Sequence, residues 1–502
     1  MSGECAVQLD LLIFSKRIVS SFEFSSYVRP FTTRHMDLVI SLLTPHVTRW
    51  RSLVILTDAW APMYHALLQI GPALCSYGAP LLESLTLMRC NEFTSHTSTF
   101  QPAALRDPLF LSTWENLPIL PKLASLTLKG VHVDWDSLAD ALIASSTPLR
   151  HLDLSCHSMS VRPSAETLSR ILSHCAPYLE KLVMRNSGPN FDISDVSSLT
   201  PVLLPKLSEL SLAYRAGRNG LLSLELMELP ELQTLTLEDG THLGDQHAAI
   251  DAGPLLVYIA TGVRSRGHLQ PFSITYSITE GLKYHPGPLL STCAASSWYS
   301  VQSPFRKLEH VNLIRVQAFP MHLRWFYHSL DNLKSLRLEY MDLNSVYALM
   351  PPPFHDRKWN VSPLASISSS SSSPCPCPLL ETFSIRIPGH LDYETFRVIT
   401  FGMIKLRPTY GKGKKLKQFT VRAVDSVDAR LMDTERTEEI EGMRVSIQKT
   451  VGRGDEDSDE DEDEGWDSED DDDSSSENGA FELNGAFNDP QFDSVIGSVV
   501  HP

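Results

Sequence analysis

The chain has 502 residues, 42% of them apolar and 21% charged, the ordinary balance of a globular protein. No run approaches the roughly 18 apolar residues of a membrane helix, and Glu4 with the short Leu11-Leu12-Ile13-Phe14 stretch does not make a secretory signal. The net charge of −17 comes from one end: nineteen Asp and Glu and no Lys or Arg lie from Asp455 onward, leaving 43 basic and 41 acidic residues elsewhere.

From the N-terminus, residues 1–46 are mixed and read as an N-terminal cap or remnant segment. Residues 7–19 and 36–43 are apolar enough for helices or strands but carry no clear caps. Then Trp50, Leu53 and Ile55 open a phrase that recurs along the chain. Its best form is Pro230-Glu231-Leu232-Gln233-Thr234-Leu235-Thr236-Leu237, or P-x-L-x-x-L-x-L. Leu82, Leu123, Leu179 and Leu207 begin equivalent triplets two residues after Pro80, Pro121, Pro177 and Pro205, and Leu149 begins one directly after Pro148. Leu308 and Leu333 begin copies without the proline, and Leu380 and Leu416 begin degenerate late ones, for eleven copies in all.

The last two apolar positions of the phrase alternate, so they point to one face of a short strand. A proline just before fits a strand start, where no ladder N–H is needed. One such unit cannot bury its apolar face alone, but stacked neighbours can. From Leu82 to Leu232 the first positions step by 41, 26, 30, 28 and 25 residues, mostly near the period of leucine-rich repeats.

Amphipathic segments lie between the phrases. Asp134 or Asp136 starts a helix with Leu138, Leu142 and Ile143 inward; Ser164 caps one with Leu168, Ile171, Leu172 and Cys175 on one face. Asp392 caps a third, with Phe396, Ile399 and Met403 inward. Pro254-Leu255-Leu256-Val257-Tyr258-Ile259 and residues 269–274 read as worn copies of the phrase, and part of 279–304 as a loop. The expected fold is therefore α/β: a leucine-rich repeat solenoid over 47–424, an irregular horseshoe with parallel strands on the concave face and helices outside. Residues 351–378, rich in Ser and Pro, read as a disordered insertion. Residues 425–454 read as a C-terminal cap or linker. Residues 455–502 read as a disordered acidic tail, since fifteen of the nineteen residues in 455–473 are Asp or Glu. The usual repeat asparagine is missing: Cys90 fits its position, but Val131, His157, Ser187, Arg215 and Gly240 do not, so no asparagine ladder is expected.

Catalytic signatures are missing too. There is no G-x-x-x-x-G-K-[ST], G-x-G-x-x-G, H-E-x-x-H or G-x-S-x-G. Eighteen scattered histidines form no nucleophile-activating set. Of eight cysteines, only Cys375-Pro376-Cys377 has close spacing, and no C-x-x-C pair occurs. Reduced thiols fit a cytoplasmic or nuclear location. The expectation is a non-enzyme without cofactor or metal. Gly411-Lys412-Gly413-Lys414-Lys415 lacks phosphate-loop spacing and reads as a solvated basic turn or a contact for the acidic tail.

A horseshoe of this kind binds protein on its strand face. The residues between the apolar positions form rows there, and the candidate partner contacts are Lys129, His151, Lys181, Arg185, Arg337, Arg386 and Arg422. The face lacks the dense basic stripe expected for nucleic acid. Ser458 and Ser468 have Asp461 and Asp471 three residues on, the pattern of an acid-directed kinase site.

The phrases at 80–87, 121–128 and 205–212 resemble leucine-rich repeats. With Arg49-Trp50-Arg51-Ser52-Leu53 before them, they resemble the fungal F-box proteins with degenerate repeats. That resemblance, over roughly 30–424, implies a substrate receptor of a Skp1–cullin ubiquitin ligase, with the repeats holding the protein substrate. Nothing in 1–45 matches the F-box pattern L-P-x-E-[LI]-[LI]-x-x-I-[FL], so no residue is assigned to Skp1. A shortened gene reading and a paralogue that lost its F-box both remain open. The acidic tail is similar to that of the leucine-rich acidic nuclear phosphoproteins that chaperone histones, which implies basic protein partners instead.

Overall fold

Every copy of the phrase forms a strand. The computed structural model describes residues 9–14, 32–57, 59–89, 99–100, 103–106, 108, 110, 119–191, 200–241, 252–262, 303–350, 375–387, 393–409, 413–424, 436–440 and 443–450. The eleven copies are β2 (Trp50–Thr57), β3 (Ser84–Arg89), β4 (Ser125–Lys129), β5 (His151–Ser155), β6 (Lys181–Arg185), β8 (Glu209–Tyr214), β10 (Thr234–Asp239), β11 (His310–Ile314), β12 (Ser335–Glu339), β13 (Thr382–Ile387) and β14 (Gln418–Val424). They lie side by side, parallel and in chain order, in one large sheet. β1 (Leu9–Phe14) joins one edge in parallel. At the other edge β16 (Met443–Thr450) pairs parallel with β14, and β15 (Arg436–Ile440) pairs antiparallel with β16, giving fourteen strands. A separate pair, β7 (Val202–Leu203) and β9 (Met227–Glu228), lies outside this sheet.

The register is that of the phrase. Leu53 pairs with Leu85, Leu85 with Leu126, Leu126 with Leu152, and so on to Phe383 with Phe419. Both alternating apolar positions of the phrase are buried in every copy, in one continuous core. Such a leucine contributes about 1.5–3 kcal/mol by leaving water. In the late copies phenylalanines replace leucines, and Phe383 stacks on Phe419 with ring centroids 5.6 Å apart.

The recurring proline has a sharper role than strand initiation. Leu82, Leu123, Leu207, Leu232 and Leu380 each donate their N–H to the carbonyl three residues back, on Ala79, Leu120, Leu204, Leu229 and Cys377. Pro80, Pro121, Pro205, Pro230 and Pro378 are each the second residue of those turns. There the ring presets φ, and the turn needs no N–H. The first leucine of the phrase thus closes a turn and drops into the core. At the far end, the residue after the strand is left-handed in five copies: Gly130, Cys156, Asn186, Arg315 and Tyr340. Each donates its N–H to the next strand, as Gly130 does to the Ser155 carbonyl at 2.7 Å, so the ladder runs one residue beyond the phrase.

Helices fill the connections: α1 (Thr33–Leu43), α2 (Trp60–Tyr77), α3 (Trp135–Ala144), α4 (Ala165–Cys175), α5 (Gly217–Glu225), α6 (Gly253–Thr261), α7 (Pro320–Ser329), α8 (Leu343–Tyr347) and α9 (Tyr393–Leu406). Asp134 caps α3 by accepting from the Ser137 N–H at 3.1 Å, and Ser164 caps α4 by accepting from Thr167 N–H at 3.0 Å. Leu168, Ile171, Leu172 and Cys175 are buried as their spacing predicts. So are Leu138, Leu142, Ile399 and Met403.

Several expectations need correction. Ile143 is exposed, because it falls one residue past the inward stripe set by Leu138 and Leu142. Residues 254–259 are not a worn strand but most of α6, with Pro254 in its first turn. The Ser/Pro run 351–378 ends in packed structure. Cys375 and Cys377 are buried, and the fully buried Arg407 donates to the carbonyls of Pro376 at 2.9 Å and Cys377 at 2.6 Å. Residues 11–14 lie in strand β1, and 36–43 in helix α1. Asp392, Cys90, residues 269–274, most of 279–304 and 455–502 lie outside the described residues.

Candidate functional site

Strand alternation sends one set of residues into the core and the next out of the opposite face. The outward residues form three rows across the sheet. The first runs Ser84, Ser125, His151, Lys181, Glu209, Thr234, His310, Ser335, Thr382 and Gln418, each opposite the next. The second runs Thr86, Thr127, Asp153, Val183, Ser211, Thr236, Asn312, Arg337, Ser384 and Thr420 in the same register. These rows are half-buried or exposed, except for Thr420. The third row, at the C-terminal ends of the strands, holds Lys129, Arg185, Glu238, Glu339, Arg386 and Arg422.

The seven candidate contacts therefore share one face, but most are engaged within the chain. Lys181 pairs with Glu209 of the adjacent strand at 2.6 Å. Arg185 donates through Nε and Nη2 to Glu238, at 3.0 and 2.6 Å. These two residues belong to strands separated by β8, whose third-row residue is Ala213. The short alanine leaves the arginine room to reach across two strand spacings, roughly 10 Å. Arg315 holds the other oxygen of Glu238 at 2.9 Å. One buried carboxylate thus gathers two guanidinium groups. Arg337 pairs with Glu339 two residues along its own strand. Arg386 lies over the Tyr340 ring, 4.6 Å from its centroid. His151 is exposed, and Lys129 and Arg422 are half-buried.

Burial shifts two acids on these strands. It raises the Asp153 carboxyl above the ordinary range, against the Ser155 hydroxyl and nearby Lys129. Asp239 is raised by burial in the same way, although the Thr241 hydroxyl and N–H both donate to it.

Away from this face sit further buried groups, of which the sequence did not single out His132. His132 stacks on Trp60 at 4.2 Å, with Phe100 edge-on at 4.0 Å. Burial, first of all, pushes its pKa down to about 2. His157 occupies one of the missing asparagine positions. Its Nε2 meets the Val131 carbonyl at 2.9 Å, and its N–H donates to Ser187 Oγ at 2.9 Å. Three successive non-asparagine positions are thereby linked. Burial lowers the His157 pKa to about 4. The Cys377 thiol is pushed up to about 12 by burial, and Cys375 is raised for the same reason. Among the described residues no three His, Cys, Asp or Glu side chains come together as a metal site, and no helix is long and apolar enough to cross a membrane.

The signal for Glu238 was its third-row position; for Arg315 there was none, since its direction depends on a left-handed backbone after the strand. Ser458 and Ser468 lie outside the described residues. No protein-family model matches the chain, and no curated protein matches it.

Proposed function

We propose that the chain is a non-catalytic protein-recognition scaffold, built as a leucine-rich repeat solenoid whose concave strand face holds a protein partner. The observation that carries this reading is the outward register. Ten consecutive strands bring hydroxyl, amide and charged side chains into matched rows, and the first two rows are half-buried or exposed except at Thr420. Buried, evenly spaced leucines fix the strands, so the outward positions are free to vary for recognition. The preferred role is that of an F-box-like substrate receptor of a Skp1–cullin ubiquitin ligase, in the cytoplasm or nucleus. It is supported by the repeat phrases and by the Arg49-Trp50-Arg51-Ser52-Leu53 lead-in.

A second reading is favoured by one specific observation, the fifteen acidic residues among 455–473. They supply a strand of negative charge for histones or other basic proteins. Affinity purification of the full chain, with and without 455–502, separates the two. Skp1 and cullin recovered with both forms support the receptor. Basic proteins recovered only with the acidic segment, and no Skp1, favour the second reading.

A further inference from the structure

The first strands end in a polar corner on their inner side. Leu53, Ile55 and Thr57 form the inward series of β2, and Leu85, Leu87 and Arg89 that of β3. Thr57 lies opposite Arg89 in the parallel register, one strand spacing or about 4.8 Å away. Gly130, left-handed after β4, lies against the Arg89 stem: a Cβ there would sit 3.2 Å from Arg89 Cβ. His132 follows two residues on and stacks on Trp60, the first residue of α2. Four segments thus meet at the C-terminal ends of β2–β4.

This corner is rich in donors and lacks acceptors to match them. Thr57 is 1% exposed and His132 2%. Thr57 Oγ1, His132 Nε2 and Arg89 Nε are sealed from solvent and have no hydrogen-bond partner among the described residues. No carboxylate there offsets the Arg89 guanidinium, whose pKa is lowered by burial alone. Of its three nitrogens only Nε is sealed, and the residue as a whole is half-buried, so the terminal nitrogens face outward. After burial itself, the groups that depress His132 are His157, Arg89 and Arg106, and no acid is among them. The N-terminus of α2 adds to this field. Its N-cap, Ala59, supplies no side-chain acceptor, and its first turn holds no acid.

Buried donors are almost always satisfied, and a largely buried cation without a counter-charge is unfavourable. Three orphaned donors together, with no acid beside them, call for an acceptor from outside the chain. We propose that this corner binds a phosphate group, held by the terminal nitrogens of Arg89 and backed by Thr57, His132 and the N-terminus of α2. The guanidinium edge makes charge-assisted bonds to such an anion, and the neutral imidazole can carry its proton on Nε2. Donors from four segments suit the several oxygens of a phosphate better than the two of a carboxylate. The site lies at the strand ends, off the outward rows, so it is independent of the recognition reading.

The test uses the full chain in a phosphate-free buffer. Arginines are labelled with phenylglyoxal and read by peptide mass spectrometry, with about 20 mM inorganic phosphate, glycerol phosphate or acetate against chloride at equal ionic strength. Binding predicts that phosphate slows labelling of Arg89 roughly three-fold or more, while Arg150, whose side chain is 60% exposed, is unaffected. Protection by inorganic phosphate alone supports the free ion as ligand, and protection by both phosphates supports a phosphoryl group on a larger molecule. Protection by neither overturns the proposal, as does an Arg89 that fails to label in chloride. Acetate protecting as well as phosphate overturns the phosphate assignment. Arg89→Met supplies a second check by thermal melting. The variant is expected to melt no lower than the parent in chloride, since it removes an unpaired buried charge, and to lose the rise in melting temperature that phosphate gives the parent. A variant that keeps that rise, or that melts well below the parent in chloride, contradicts the site.

Discussion

At the scale of single residues, Glu238 holds the face together. It is 8% exposed and binds Arg185 from one side and Arg315 from the other. Removing it takes from both guanidinium groups the carboxylate that they share. Glu238→Ala is therefore expected to cost about 2 kcal/mol in chemical denaturation. Lys181→Ala, by contrast, is expected to cost less than about 1 kcal/mol, because its pair with Glu209 is solvent-screened. A Glu238→Ala protein as stable as the parent would show that the arginines are satisfied by water.

The buried histidines set a pH dependence. In the folded chain His132 titrates at about 2 and His157 at about 4, against about 6.5 when unfolded. Below pH 6.5 the unfolded chain takes up protons that the folded chain refuses, so stability falls as pH falls. The loss is complete near pH 4 for His157 and continues toward pH 2 for His132. At pH 5 each histidine costs roughly 2 kcal/mol. Asp153 and Asp239, raised by burial, act in the opposite direction at lower pH. Urea midpoints at pH 7 and pH 5 isolate the histidines, and His132→Phe is expected to reduce the difference by about half. A pH-independent midpoint over that range would contradict the buried, neutral histidines.

At the scale of elements, the strands were legible because their leucines follow a fixed phrase. The helices α3 and α4 were legible because their caps and inward stripes agree. Ser164→Ala is expected to cost about 1 kcal/mol through the lost bond to the Thr167 N–H. Pro230→Ala, at the second residue of its turn, is expected to cost about 0.5–1 kcal/mol by freeing the unfolded chain. Calorimetric melting of both variants checks these figures. Residues 254–259 misled because a short apolar run has the same composition in a buried strand and a buried helix. The packing of 375–378 was hidden because it depends on Arg407, thirty residues on, whose guanidinium closes two carbonyls that the Pro-rich run could not satisfy itself. The left-handed residues after the strands carry no common side chain, being Gly, Cys, Asn, Arg and Tyr, so nothing in composition marks them.

At the scale of the whole molecule, one sheet in chain order joins all eleven copies, and contacts are mainly between neighbours. Stability in such a stack is nearly a sum of nearest-neighbour terms. A buried leucine in the middle, such as Leu210 or Leu235, supports two adjacent copies. Changing either to Ala is expected to cost about 2–5 kcal/mol. The outward rows can change without that penalty, which separates recognition from folding.

That separation offers the most direct test of the recognition reading. Affinity capture of the full chain is compared with a triple variant, Thr127→Lys, Ser211→Lys and Thr236→Lys, which alters the second outward row, and with a control, Leu68→Lys and Tyr77→Lys, on the exposed part of α2. All three are read by quantitative mass spectrometry after confirming equal melting temperatures. If the strand face holds the partner, proteins captured by the parent are lost with the row variant and kept with the α2 control. The opposite pattern, capture kept with the row variant and lost with the control, would place recognition on the helical side and contradict the account.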